Sequence, residues 1–446
     1  MPVASNRIGL REIRALGPNS TIFDGGTGSV PGFGARRRIS HHVSYFVMYR
    51  TQDGRQRRYT IGTHGAPWTP ETARTKAQQV LMAAKIEGAD PNDEKKARRS
   101  AATVAELCDM YMEDAEAGRL LTRRGIAKKA STVLTDRSRI DTHIKPLMGT
   151  MKVPSVTRED VERFMHRIAE GATRKRVKTG RKRGLSNVRG GKGTASRTVG
   201  LLSAIFTYAQ RKRMITEHPV RGVIRYADRR RQRRLSDDEY AALGRALAAA
   251  AAPPLPRKDG KPARAIWPAA VQAARFLSLT GWRSGEALTL RWGMLDLPRR
   301  TARLPDTKTG ESVRPLSSAA CDLLQKIGPG KANALVFPPS RGDGIMTGFP
   351  TVFERIAKKG GLPKDITPHI LRHSFASLAA DLGCSELAIA TLLGHRAGSV
   401  TARYTHAADD VLLSIADRVA AATLRKLDGE RSAVVVQGPR AGLVVA

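Results

Sequence analysis

Hydrophobic spacing changes twice along this chain. In the first hundred residues it is short and strand-like. Val43-Ser44-Tyr45-Phe46-Val47-Met48-Tyr49 is rich in β-formers, Asp53-Gly54 supplies a hairpin turn, and Arg57-Arg58-Tyr59-Thr60-Ile61 returns. An earlier strand around Val30 to Arg38 adds a third. Thr69 reads as an N-cap, with Pro70 at the first helical position and Glu71 behind it. That helix runs to about Gly88, where Asp90-Pro91 ends it. The prediction for residues 1–91 is a small α+β domain, a three-stranded sheet plus helix. The helix covers one sheet face and leaves the other, with Arg50, Arg55, Arg57 and Arg58, open to solvent or to a partner.

Residues 92–102 are polar and charged and read as a linker. From Thr103 the spacing turns helical. Thr103 caps a run through Val104, Leu107, Met110 and Tyr111, and Ser131 begins another toward Ile140 and Ile144. Thr157-Arg158-Glu159-Asp160 opens a third, with Val161, Phe164, Met165 and Ile168 on one stripe. A fourth carries Val199, Leu202, Ile205, Phe206 and Ala209. Residues 103–228 therefore predict an all-α helical bundle. Inside it, residues 173–194 hold Arg174, Lys175, Arg176, Lys178, Arg181, Lys182, Arg183, Arg189 and Lys192 with several glycines. Nothing there can form a core, so the stretch is a mobile loop or an extended hairpin, one that orders on a polyanion.

A basic linker, 229–235, separates this from a third segment. Ser236 caps a new helix with Glu239 three residues on, and 236–425 reads as one mixed α/β, mainly helical domain. The Pro253–Pro262 stretch within it is an exposed loop. Residues 426–446 form a C-terminal tail in which Ala433-Val434-Val435-Val436-Gln437 is β-prone. The chain shows no repeats of solenoid length.

Charge changes the picture more than any other quantity. Lys and Arg total 77 against 40 Asp and Glu, a formal net charge of +37, and the sequence pI is about 11.0. A chain this basic needs a polyanion, either nucleic acid or anionic membrane. No window approaches the ~18 apolar residues of a membrane span. Basic amphipathic helices and lipidation motifs are lacking too, and so is a secretory leader's apolar run at the start. That leaves nucleic acid. Cys108, Cys321 and Cys384 are few and far apart, which fits a reducing cytoplasmic setting and neither a disulfide framework nor a CxxC metal site.

Four places carry candidate chemistry. In Thr280-Gly281-Trp282-Arg283-Ser284-Gly285-Glu286, Arg283 follows a glycine turn at a helix start and Glu286 shares its side, which suits a phosphate or a plain ion pair. Arg303 to Leu316 reads as two strands about a tight turn with Lys308 near the tip, reactive or merely solvated. Thr367-Pro368-His369-Ile370-Leu371-Arg372-His373 starts a helix on which His369 and Arg372 share a face. His369 and His373 also have the spacing of a zinc pair, but no third ligand stands nearby and Arg372 repels a cation. Last, Leu392-Leu393-Gly394-His395 precedes Tyr404 by nine residues.

Taken in order, Arg, Lys, His-x-x-Arg, His and Tyr resemble the tyrosine recombinase (phage integrase) family over roughly Ser236 to Leu424. The N-terminal segment resembles the arm-DNA-binding domain of prophage and genomic-island integrases in Gly32-Phe33-Gly34, Tyr59-Thr60-Ile61-Gly62, Trp68-Thr69-Pro70 and Gly88-Ala89-Asp90-Pro91. The helical segment is similar to the core-binding domain in arrangement more than in motif.

The resemblance implies a catalytic set of Arg283, Lys308, His369, Arg372, His395 and Tyr404. It implies no cofactor and no metal. The expected activity is site-specific recombination of double-stranded DNA through a 3′-phosphotyrosyl link, integrating or excising a mobile element. It further implies core and arm attachment sites, a homotetramer on DNA, an accessory bending or directionality factor, and work in the bacterial cytoplasm on the nucleoid. A type IB topoisomerase-like nicking–rejoining enzyme and a non-catalytic DNA-binding regulator on the same scaffold are the alternatives.

Overall fold

The computed structural model describes residues 7–39, 41–87, 90–123, 125–178, 184–227, 233–253, 265–307, 310–395 and 409–430. The chain divides into two compact units, Met1–Arg229 and Arg230–Ala446, and each is taken by itself.

The first unit begins with a short helix α1 (Leu10–Ala15) and the strands β1 (Thr21–Phe23), β2 (Phe33–Arg37), β3 (Val43–Arg50) and β4 (Gln56–Thr63). They pair antiparallel in the order β1-β2-β3-β4, so the sheet has four strands where the sequence predicts three. The extra strand is Thr21-Ile22-Phe23, too short to show an alternating pattern and visible only through its pairing with Gly34 to Arg36. Helix α2 (Pro70–Met82), capped by Thr69, lays Ala73, Ala77 and Val80 on one sheet face against Phe33, Ala35, Tyr45, Val47 and Tyr49. Under it, buried Arg74 and Asp24 pair at 2.9 Å, and Asp24 also accepts from the amides of Ile8 and Val30. This satisfies the buried carboxylate on every side.

The expected linker is instead helical, α3 (Pro91–Ser100), with Asp90 as its N-cap. It lies along β4, an edge strand whose outward carbonyls need donors. Asn92 Nδ2 donates to Arg58 O at 3.0 Å and Lys95 Nζ to Thr60 O at 3.2 Å.

Helices α4 (Val104–Glu116), α5 (Ala130–Arg139), α6 (Lys145–Met148), α7 (Arg158–Glu170) and α8 (Lys192–Arg211) follow. Their stripes, among them Leu107, Tyr111, Phe164, Ile168, Leu202 and Phe206, make a second core. Thr103 with Glu106 and Thr157 with Asp160 form reciprocal caps. Between α7 and α8, β5 (Lys175–Lys178) pairs with β6 (Leu185–Val188), so the basic stretch forms a hairpin. Arg181, Lys182 and Arg183 lie outside the described residues.

In the second unit α9 (Asp237–Ala251) is capped by Ser236 and Glu239. Arg233 and Arg234, expected in a basic linker, are drawn into this unit by its own acids. Arg233 donates to Glu239 at 2.8 Å and to Asp365 at 2.9 Å, and Arg234 pairs with Asp381 at 2.7 Å. The unit continues with α10 (Pro268–Thr280), α11 (Ser284–Leu288), the antiparallel sheet β7 (Leu295–Asp296), β8 (Thr301–Thr307) and β9 (Gly310–Pro315), α12 (Ser318–Ile327), α13 (Phe349–Lys359), α14 (Pro368–Asp381), α15 (Glu386–Leu393) and α16 (Asp409–Leu427). One large core unites α9, α10 and α12 to α14 with the sheet, and a smaller one joins Phe375 and Ala379 to Leu392, Leu393 and Val419. Most of the Pro253–Pro262 stretch and the β-prone tail around Val435 lie outside the described residues. Among the described residues no helix is long and apolar enough to cross a membrane.

Candidate active site

Arg283 owes its place to a chain reversal. Helix α10 ends at Gly281, whose φ of 62° is left-handed and where any Cβ would meet Phe375 and Leu393 within 3 Å. Glycine alone suits both demands. Trp282 then turns into the core, 1% exposed, and Arg283 caps α11. Glu286 holds it twice: one carboxylate oxygen accepts from the Arg283 amide at 3.1 Å, the other from its guanidinium at 2.8 Å.

Arg372 reaches the same turn from α14. It is 4% exposed. It donates to Gly281 O at 3.0 Å, to Leu393 O at 2.9 Å, and to His395 Nε2 at 2.8 Å. A guanidinium has no acceptor, so in this arrangement Nε2 is the unprotonated nitrogen and His395 is the neutral tautomer bearing its proton on Nδ1. His395 follows directly on Gly394, the left-handed C-cap of α15.

The structure also brings in a residue that sequence reasoning missed. Arg314, on β9, is fully buried and pairs with Glu286 at 3.2 Å. Its strand reads as an ordinary exposed hairpin arm, and only the fold turns it inward. No local signal gives it away, since the apolar residue of β9, Val313, lies on the opposite, exposed face.

Electrostatics follow from this crowding. Three guanidiniums, Arg283, Arg314 and Arg372, face one carboxylate, Glu286, among the described residues. Burial, then the charges of Arg283 and Arg314, push Arg372 down to about 10, which leaves it charged at neutral pH. His395 is also lowered, by burial first and then by Arg372, Arg283 and Arg314. Burial raises Glu286, but Arg314 and Arg283 outweigh it and hold the carboxyl below its usual range. The result is a cationic surplus partly shielded from water, suited to an anion with several oxygens.

His369 is exposed in the first turn of α14, one turn before Arg372. Its ring meets that of His373 edge-on, centroids 4.6 Å apart. Lys308 falls between β8 and β9, outside the described residues, and so does Tyr404. The structure therefore assembles Arg283, Arg372 and His395, with His369 on the same helix as Arg372.

The basic residues of the first unit divide. Arg57 sits opposite Tyr49, on the helix-covered side, where Asp90 and Asp93 each bind it at 2.8 Å. It is not on the free face, a correction to the sequence reading that pairing across 33 residues explains. Arg58, one residue on, is on the open face with its guanidinium carbon 3.9 Å above the Phe46 ring. Burial, then Arg36 and Arg38, lower its pKa. Arg36 and Arg38 are thus further members of the basic face that the sequence reading did not single out. Arg50 is exposed at the end of β3, and Arg55 pairs with Asp53 in the turn. Arg174, Lys175 and Arg176 project into solvent at the hairpin.

The chain is similar to known proteins in sequence and in fold. The sequence profile of the Phage integrase family matches residues 233–410, and that of the Arm DNA-binding domain matches residues 10–98. Tyrosine recombinase XerD of Listeria monocytogenes serotype 4b (strain F2365) is 34% identical over 141 residues, 29% of this chain and 48% of that protein. A shufflon-specific DNA recombinase of Escherichia coli is 38% identical over 129 residues, 28% of this chain and 32% of its own length. The chain spans about half or less of the length of these curated relatives. The fold is that of lambda integrase: the tetramer bound to a Holliday junction superposes with a TM-score of 0.52 at 18% identity, over 84% of this chain and 98% of that one. Residues 233–410 are thus a phage integrase family domain, with an arm DNA-binding domain at residues 10–98 ahead of it.

Proposed function

We propose that the protein is a site-specific DNA recombinase that integrates or excises a mobile element by cutting and rejoining DNA through Tyr404. The observation that carries this is the convergence of Arg283, Arg372 and His395 in one cationic, partly dry cluster. A phosphodiester has one negative charge, and attack on phosphorus builds a second on its non-bridging oxygens. Fixed guanidinium donors stabilise that charge without reorganising. His395 adds a hydrogen bond to the same oxygens.

The phenol of Tyr404 has an ordinary pKa of ~10 and is activated by this cationic setting and by a base. His369 is the residue we assign to take its proton. The phenolate oxygen bonds to phosphorus as the bond to the 5′-oxygen breaks, and Lys308 gives that oxygen its proton. The 3′-phosphotyrosyl link conserves the bond energy, so another DNA end can reverse the step without ATP. Every charge and proton in this sequence is supplied by side chains.

In this reading residues 1–91 bind arm sites, 103–228 bind the core site, and 236–425 carry the chemistry. Arg50, Arg55, Arg58, Arg36, the hairpin residues Arg174, Lys175 and Arg176, and Arg181, Lys182 and Arg183 meet phosphates. The protein works as a homotetramer on double-stranded DNA in the cytoplasm, with an accessory bending or directionality factor. Lambda integrase, a tetramer on a Holliday junction, supports the assembly by analogy of fold.

A nicked suicide substrate bearing the attachment site tests the reading. A covalent adduct is expected with the wild type and none with Tyr404→Phe. No adduct from the wild type, or one that survives the substitution, refutes the nucleophile. Adduct without recombinant product indicates a nicking–rejoining enzyme.

A further inference from the structure

We propose that Arg314 is a positioning residue for the cleavage site, holding Arg283 and His395 in register through Glu286 and Gly394. The proposal rests on the reading that this cluster acts on a phosphodiester.

The strand itself gives the first reason. In β9 the pattern puts Arg314 inside, 0% exposed, and its neighbour Val313 outside, 58% exposed. For stability alone the better order is the reverse, because burying a valine is favourable and burying a guanidinium costs desolvation that its partners must offset. Arg314 is not even fully satisfied. Nε donates to Ser312 Oγ at 3.0 Å and one terminal nitrogen to Glu286 at 3.2 Å; the other stands 3.2 Å from the second Glu286 oxygen without a well-directed hydrogen bond among the described residues. A site that sacrifices burial energy for an incompletely bonded charge does so for something other than folding.

What Arg314 touches supplies the second reason. Its carboxylate partner Glu286 is the group that fixes both the amide and the guanidinium of Arg283. Its guanidinium lies 5.3 Å from the ring centroid of Trp282, the residue before Arg283. Gly394 also packs against it: a Cβ there would fall 2.0 Å from the guanidinium carbon. Gly394 immediately precedes His395. One side chain therefore sets the spacing between the turn that presents Arg283 and the turn that presents His395. It also adds to the charge that lowers both Arg372 and His395. Arg314 is inaccessible to DNA, so it acts only through these neighbours.

Misplacement of reacting groups by about 1 Å costs on the order of 100-fold in rate. The test uses the full chain, the nicked suicide substrate, Arg314→Met, and the double variant Arg314→Met with Glu286→Gln. Arg314→Met is expected to slow single-turnover adduct formation at saturating DNA about 100-fold while its Kd for the same substrate stays within about threefold. It also leaves Glu286 short of a partner, so its melting temperature falls. The double variant has no uncompensated carboxylate, so its melting temperature recovers while its rate stays low. If rate and melting temperature recover together, Arg314 is merely structural and the proposal is wrong. It is equally wrong if Arg314→Met cleaves within threefold of wild type. Should Arg314→Met fail to fold, the double variant is compared with Glu286→Gln alone: slower cleavage than that single variant supports positioning, and equal cleavage overturns it. Failure of the underlying reading shows separately, as no adduct from the wild type or an adduct from Tyr404→Phe.

Discussion

Replacing Arg372 by lysine keeps a positive charge and removes the planar fork, and the structure fixes what that costs. Two nitrogens of Arg372 donate to two different buried carbonyls, Gly281 O and Leu393 O, and one of them also reaches His395. A single ammonium nitrogen cannot stand in both places. One carbonyl is orphaned at about 1–3 kcal/mol, and a charge-assisted bond of similar worth is lost. The sum is a destabilisation of about 2–6 kcal/mol, or roughly 4–24 °C in melting temperature for a unit of this size. Tryptophan fluorescence reports it, since Trp282 is buried one residue from Gly281.

Cleavage is expected to fall by about 100-fold or more, because the fixed guanidinium donors that stabilise charge on the phosphoryl oxygens are gone. The sign of the pH effect also follows. The burial and neighbouring arginines that hold Arg372 down to about 10 push a lysine well below its ordinary value of ~10.4. The Arg372→Lys variant therefore loses charge, and further activity, as pH rises above neutrality, while the wild type retains its charge there. Suicide-substrate cleavage measured across pH gives this directly. A variant that melts within about 1 °C of wild type and cleaves within tenfold of it refutes the reasoning.

Two further outcomes are expected. His395 should titrate below the ordinary histidine value of ~6.5 in the free protein, since burial and then Arg372 disfavour its charged form. Bound phosphate adds negative charge and should raise it again. Imidazole NMR with and without DNA, on the Tyr404→Phe protein, reads both, and a free-protein midpoint at or above 6.5 contradicts the geometry. In the first unit, Arg58→Ala should reduce the salt dependence of arm-site binding by about one unit of slope. Arg57→Ala should leave the slope unchanged and lower the melting temperature, because Asp90 and Asp93 already neutralise that side chain. Anisotropy titrations over a range of salt, with thermal melts alongside, separate the two; equal slopes for the two variants contradict the assignment of faces.

What the sequence determined by itself is whatever local physics controls. The caps at Thr69, Thr103, Thr157 and Ser236 are bonds across three residues, and the apolar stripes of α4, α7 and α8 are periodicities within one helix. Both can be read without knowing the fold. So can the ordered series from Arg283 to Tyr404, because its members stand in recognisable local contexts. Tertiary structure alone decided the rest. Thr21-Ile22-Phe23 is a strand only because β2 offers it an edge. Residues 91–100 are a fixed helix only because β4 has carbonyls to satisfy. Arg57 and Arg58 are chemically alike neighbours, and only the pleat and the acids at 90 and 93 put one against the fold and one on the open face. Arg314 looked like an arm of an exposed hairpin. It lies 28 residues from Glu286 and 80 from Gly394 in sequence, and only close packing brings the three together. Hydrogen bonds and ion pairs act over a few ångströms, so their partners are set by where the chain returns, which spacing along the chain does not record.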